Sequence, residues 1–106
     1  MKRTLPGEVW RVDFGLAAKV RPALMLSDCP EDDELALLIV IPHTTALRGS
    51  HWELVLPKPF LKPGAFHLQQ IQPLPIVRFD TRLGALAPDE LNHVRQTLIR
   101  LLHLEA

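Results

Sequence analysis

The sequence predicts a mainly β, single-domain protein: a small, strongly bent barrel of five or six short strands followed by a C-terminal amphipathic α-helix. Three observations carry that prediction. Short apolar or alternating runs fill most of the chain, prolines and glycines separate them, and leucines at helical spacing occupy the tail. A parallel sheet would need crossover helices between its strands, and the helical pattern lies only at the end. With 106 residues the chain is expected to form one domain over 1–106.

Taken in order, "EVWRVDF" (Glu8 to Phe14) sets Trp10, Val12 and Phe14 on one face and Arg11 and Asp13 on the other, the pattern of a half-buried strand. Pro22 opens a second run, Ala23 to Ser27. The acidic stretch "DCPEDDE" then leads into Leu35 to Ile41, a continuous apolar run short enough for a central strand that pairs with its predecessor as a hairpin. "HWELVLP" alternates again, with Trp52, Leu54 and Leu56 facing one way, before Pro57, Pro59, Pro63 and Gly64 punctuate a loop around Phe60 and Leu61. The next piece, "AFHLQQIQPLP", contains Pro73 and Pro75, which donate no ladder bonds, so it belongs at a sheet edge; a short strand continues from Ile76 to Phe79. Pro88 suits the first helical position and Asp89 and Glu90 the positive end of the dipole. Leu91, Val94, Leu98, Leu101 and Leu102 then mark one helix ending near Leu104.

Composition narrows the function. The net charge is zero, which argues against a general nucleic-acid binder. Its distribution is uneven: "DCPEDDE" holds five acids and no base, leaving 12 bases against 7 acids elsewhere, enough for one basic face. No run approaches the roughly 18 apolar residues of a membrane span, and the first residues lack the apolar core of a signal peptide, so a cytoplasmic protein without membrane contact is expected. Cys29 stands alone, and the histidines at 43, 51, 67, 93 and 103 show no metal-ligand spacing; the expectation is no metal and no cofactor.

Three polar groups lie at the edges of apolar strands. Arg21 precedes Pro22, so its backbone is biased toward extended geometry. A guanidinium anchored there suits a phosphate clamp, or else a surface ion pair. His43, Thr44 and Thr45 follow Pro42, with Arg48 close behind; their hydroxyls bind phosphate oxygens or cap a turn. His67 and Gln69 share a face of the later edge segment, beside Gln70. A histidine, with a reference pKa of about 6.5, trades protons near neutrality, whereas glutamine only exchanges hydrogen bonds.

The order "PGEVWRVDFG", "KVRPALMLS", "VIPHTTALRG", "GAFHLQQI" and "LGALAPDELNHVRQTLIRLL" resembles the MazF/PemK (Kid-like) toxins of type II toxin-antitoxin modules over nearly the whole chain. The resemblance implies an SH3-like barrel of the CcdB/Kid/MazF type, assembled as a homodimer. It further implies metal-independent, sequence-specific cleavage of single-stranded RNA, inhibited by a cognate antitoxin protein. Such cleavage needs a base for the 2'-hydroxyl proton, an acid for the departing 5'-oxygen, and donors for the charge on the phosphate. By resemblance Arg21, Thr44 and Thr45 hold or activate the phosphate, with Thr45 the stronger candidate. Relatives carry an acid where this chain has Gln69, and Kid-like members an arginine at His67. Gln69 cannot act as a base, so His67 is expected to take the acid or base role, with Arg21 supplying positive charge. His43, Thr44, Lys19, Arg48, Gln69 and Gln70 are the expected substrate contacts, and the acidic loop is expected to point away from RNA. Lys19 is the one charge of the "GLAAK" loop, which is shorter than in many relatives. Base stacking would rest on Trp10, Trp52 or a phenylalanine. Three alternatives stand beside this reading: a CcdB-like barrel that poisons gyrase by protein contact, a catalytically degenerate toxin kept as a regulatory partner, and an unrelated SH3-like peptide-binding module. The retained Arg21 and Thr45 weigh against the first, and the absence of tyrosine against the last.

Overall fold

The structure is a computed structural model that describes residues 3–15 and 19–105. Most of the "GLAAK" loop, residues 16–18, lies outside the described residues. The elements are β1 (Glu8–Asp13), β2 (Val20–Met25), β3 (Leu37–Thr44), β4 (Glu53–Leu54), β5 (Ala65–His67), β6 (Gln72–Pro75), β7 (Phe79–Ala85) and α1 (Pro88–Leu102). The strands pair in the order β4-β5-β3-β2-β1-β7, and every pairing is antiparallel. β6 joins off this path, on β3. The result is barrel-like, as expected, but the sheet is not closed: among the described residues no pairing joins β4 to β7.

β3 organises this sheet. One flank takes β2; the other takes β6 along Leu37–Val40 and β5 at His43–Thr44. Pro42 stands at the changeover between β6 and β5, where the ladder is already interrupted, so the strand continues through it to Thr44 rather than stopping at Ile41. The expected "AFHLQQIQPLP" strand divides, because a 3-10 turn at Leu68–Gln70 redirects the chain. Its second half, β6, pairs among the described residues with β3 alone, the edge position its prolines require. The "HWELVLP" strand shortens to Glu53–Leu54.

The sequence reading missed β7. Ile76–Arg78 form a 3-10 turn, and the strand begins at Phe79, where the expected one ended. Asp80, Thr81 and Arg82 are all exposed, so little alternation marks it. β7 pairs with β1 through two register shifts, one of them between Val9 and Trp10. Those neighbours are both buried because both faces of the sheet are covered. Val9, Leu24, Ile41, Phe66 and Leu68 pack with Val94 and Leu98 of α1. Trp10, Val12, Ala23, Met25, Leu38, Val40, Leu74 and Phe79 fill the curl on the other side. Each large apolar side chain so buried contributes about 1.5–3 kcal/mol.

Pro88 begins α1, and Glu90 accepts a hydrogen bond from the Ala87 amide and holds the Lys58 ammonium, fastening the helix start to the loop after β4. Val94, Leu98 and Leu101 face the core as expected and Leu91 is half-buried, whereas Leu102 is 45% exposed. His103 ends the helix in the left-handed conformation, with the Leu104 amide donating to the Ile99 carbonyl. The β2–β3 hairpin separates two polar regions. The acidic loop joins its strands at one end, and Arg21 and Thr44 lie at the other.

Candidate active site

Arg21 is the second residue of β2, paired with Val12 of β1. Two positions beyond the Ala23–Pro42 pair, it comes alongside Thr44. The opposite wall depends on Gly64. A Cβ there would lie 2.2 Å from the Thr44 carbonyl oxygen and 2.8 Å from His43 Cε1, so only glycine lets the start of β5 approach β3 this closely. The space left is a cleft of about 450 Å³ lined by Arg21, His43, Thr44, Thr45, Phe60 and Lys62, with Val20, Pro22 and Ala46 completing the wall.

His43 is only 6% exposed and meets Phe66 edge-on. Burial lowers its pKa, which keeps the imidazole neutral and able to accept a proton. Thr44 Oγ1 accepts a hydrogen bond from the Ala46 amide at 3.0 Å, leaving its own proton to donate. Thr45 is exposed. Arg21 Cζ lies 5.7 Å from the Phe14 ring centroid. Arg21 also lines a second depression with Phe14, Pro42, Gln70, Ile71 and Gln72, so it stands between two concave surfaces. Among the described residues, the cleft offers two cations, two hydroxyls and a neutral imidazole, and no carboxylate lines it. Chemically, such a set is able to hold a phosphate, donate hydrogen bonds to its oxygens and accept one proton.

Of the residues expected to act together, the cleft gathers Arg21, His43, Thr44 and Thr45. His67, expected to take the acid or base role, does not line it. Its side chain is 11% exposed and faces Glu53, its partner across the β4–β5 pairing, with Nε2 3.8 Å from the carboxylate. His67 Nδ1 is buried without a hydrogen-bond partner. Gln69 is exposed on the 3-10 turn, and Gln70 lines the second depression. Lys19 is exposed at φ +64°. Arg48 is exposed in the loop between β3 and β4. Trp10 belongs to the core, and Trp52 and Phe60 both pack against core residues, but of the three only Phe60 lines the cleft.

Sequence reading missed Phe60, Lys62 and Glu53. Phe60 and Lys62 lie in a proline-punctuated loop whose path no periodicity reveals. Glu53 is an acid inside an alternating apolar run, an oddity that could have drawn notice. Among the described residues no group of three His, Cys, Asp or Glu side chains could hold a metal ion, and no helix is long and apolar enough to cross a membrane.

Residues 5–102 match the family described as PemK-like, MazF-like toxin of type II toxin-antitoxin system. Among solved structures, MazE-MazF (Form-II) from Deinococcus radiodurans aligns at TM-score 0.79 and 25% identity, over 96% of this chain and 97% of that one. An endoribonuclease in complex with its cognate antitoxin, from a mycobacterial species, aligns at 0.79 and 23%, over 97% and 98%. The Mycobacterium tuberculosis toxin MazF-mt6 aligns at 0.73 and 19%, over 93% and 99%. At those identities the latter two speak for the fold. No curated protein gives a match. With the family match spanning nearly its whole length, the chain belongs to the PemK-like, MazF-like toxins of type II toxin-antitoxin systems.

Proposed function

We propose that this toxin is an endoribonuclease that cuts single-stranded RNA at a preferred sequence, without a metal ion, by attack of a ribose 2'-hydroxyl on the adjacent phosphorus. The observation that carries the reading is the convergence of Arg21, His43, Thr44 and Thr45 on one cleft. Arg21 grips two phosphate oxygens, and its fixed charge meets the negative charge that builds as the fifth oxygen bonds to phosphorus. Thr45, exposed at the mouth, and Thr44, with its proton free to donate, add hydrogen bonds to the same oxygens. His43 accepts the 2'-hydroxyl proton. The oxygen then displaces the 5'-oxygen, which takes a proton from water, leaving a 2',3'-cyclic phosphate and a 5'-hydroxyl.

Assigning His43 rather than His67 to this proton rests on position. His43 lines the phosphate cleft, while His67 faces Glu53. The metal-free reading is supported by the donor set, because hard cations want oxygen ligands and no carboxylate lines the cleft. Lys62 attracts the flanking backbone and Phe60 offers a stacking face for a base. Inhibition by a cognate antitoxin follows from family membership and from the antitoxin complexes of similar folds. A homodimer is the assembly the family resemblance implies.

The test is incubation of purified protein with a long single-stranded RNA in EDTA, followed by end-group analysis and sequencing of the cut sites. Discrete cuts ending in cyclic or 3'-phosphate, lost in Arg21→Ala, are the expected result. Intact RNA at every protein concentration would sink the nuclease reading and direct attention to protein partners. Light scattering on the same preparation tests the dimer.

A further inference from the structure

We propose that Glu53 is a positioning residue for this cleft: its carboxylate ties down the loop that starts at Thr45, and so fixes where the hydroxyls of Thr44 and Thr45 stand. The proposal rests on the ribonuclease reading above for its catalytic consequence, and on geometry alone for the tether. Glu53 lies in strand β4, and its side chain is 3% exposed. It turns back onto the loop and accepts four backbone hydrogen bonds. Two come from the Arg48 amide, at 3.1 and 2.9 Å, one from Gly49 at 2.7 Å and one from Ser50 at 3.0 Å.

Three successive amides converging on one anion form a backbone nest, the arrangement by which loops bind phosphate. Here the anion is part of the chain. Gly49 makes the concavity possible with φ +81°, a conformation costly for other residues. The bonds are charge-assisted, so they hold the loop more firmly than neutral turns do. His67 completes the setting, with Nε2 3.8 Å from the other side of the carboxylate.

The loop has few other anchors. Among the described residues, its hydrogen bonds besides the nest are the Ala46 amide to Thr44 Oγ1, the Glu53 amide to the Ser50 carbonyl, the Trp52 amide to Ser50 Oγ and, at its end, the Leu68 amide to the Trp52 carbonyl, where Trp52 also packs against the core. Arg48, Gly49 and His51 are exposed, as is Leu47. Loss of the carboxylate therefore frees the segment attached to the cleft, while both core clusters keep their members.

Two variants test this, Glu53→Ala and Glu53→Gln, the second retaining one acceptor oxygen and the side-chain shape. Amide hydrogen exchange in Glu53→Ala should accelerate at least about tenfold at Arg48, Gly49 and Ser50 relative to β1 amides, with Glu53→Gln between it and the parent. In steady-state cleavage, kcat should fall about tenfold or more while KM moves less than about threefold, and glutamine should restore part of the rate. A merely structural carboxylate would not produce that split. Unchanged exchange at the three amides overturns the tether, and parental kcat despite freed amides overturns the positioning role. Should the parent protein cut no RNA, the ribonuclease reading fails separately. Affinity of the parent and Glu53→Ala for a short single-stranded oligonucleotide then decides, and equal affinity counts against Glu53.

Discussion

The His43 imidazole meets the Phe66 ring edge-on, with centroids 5.1 Å apart and planes at 74°. The two residues are cross-strand partners in the β3–β5 ladder. Phe66 thus belongs to the core beneath α1 and to the support of the cleft at once. Phe66→Ala should cost about 3–5 kcal/mol, the range for truncating a buried aromatic. Urea unfolding should show a lower midpoint with an unchanged slope. Phe66→Leu retains most of the volume but not the ring edge, so its rate loss should exceed its stability loss. A leucine variant with parental cleavage would show that His43 needs no such support.

Arg21 offers a second prediction. Replacing a donor that meets transition-state charge costs about 10²–10³ in rate, and Arg21→Ala should lie in that range at saturating RNA. Lysine carries the charge but not the planar fork, so Arg21→Lys should recover only a small part. Full activity with lysine would mean that a point charge suffices and that the bidentate grip is wrong.

How far the sequence revealed this depends on the residue. β1 alternates, α1 repeats at helical spacing and Pro73 and Pro75 mark an edge, so local pattern was enough for each. β7 was missed because its middle residues face solvent and its pairing with β1 is interrupted by two register shifts, neither of which leaves a local trace. In the cleft, Arg21, Thr44 and Thr45 were legible because strand ends beside prolines fix their positions. Distinguishing His43 from His67 needed register. The two differ in which cross-strand neighbour each faces, Phe66 or Glu53, and a pairing of distant segments sets that.

The cleft also predicts the pH profile. His43 has a pKa below its ordinary value of 6.5 because burial disfavours the charged ring. As a base it acts only when neutral. Cleavage, followed as kcat/KM, should therefore rise with pH through a midpoint below 6.5 and then level off. His43→Gln should remove that limb along with most of the rate. A midpoint above 7, or a limb that survives the substitution, would assign the base elsewhere.

Stability should lose ground in two separate steps as pH falls. For His43 the folded-state pKa lies below the unfolded 6.5, so the unfolded chain takes up the proton first; stability present above 6.5 is lost as pH falls through the folded value. Three glutamates act later, each with a pKa held below the ordinary 4.5. Burial raises that of Glu8, but hydrogen bonds from the Trp10 indole, the Leu5 amide and Arg82 outweigh it. The Arg48 amide is the largest influence on Glu53, and Lys58 on Glu90. The sign is the same for all three: their contribution is intact above 4.5 and disappears as pH drops through their lowered folded values. Urea midpoints measured from pH 8 to 3 should thus show an upper decline that sets in below 6.5 and a steeper one below 4.5. His43→Gln should abolish the upper decline and leave the lower. Glu53→Gln should do the reverse, weakening the lower step and sparing the upper, since its charge matters only where the carboxylate is ionised in one state and protonated in the other. A single decline common to all three proteins would refute the assignment of the two steps to these residues.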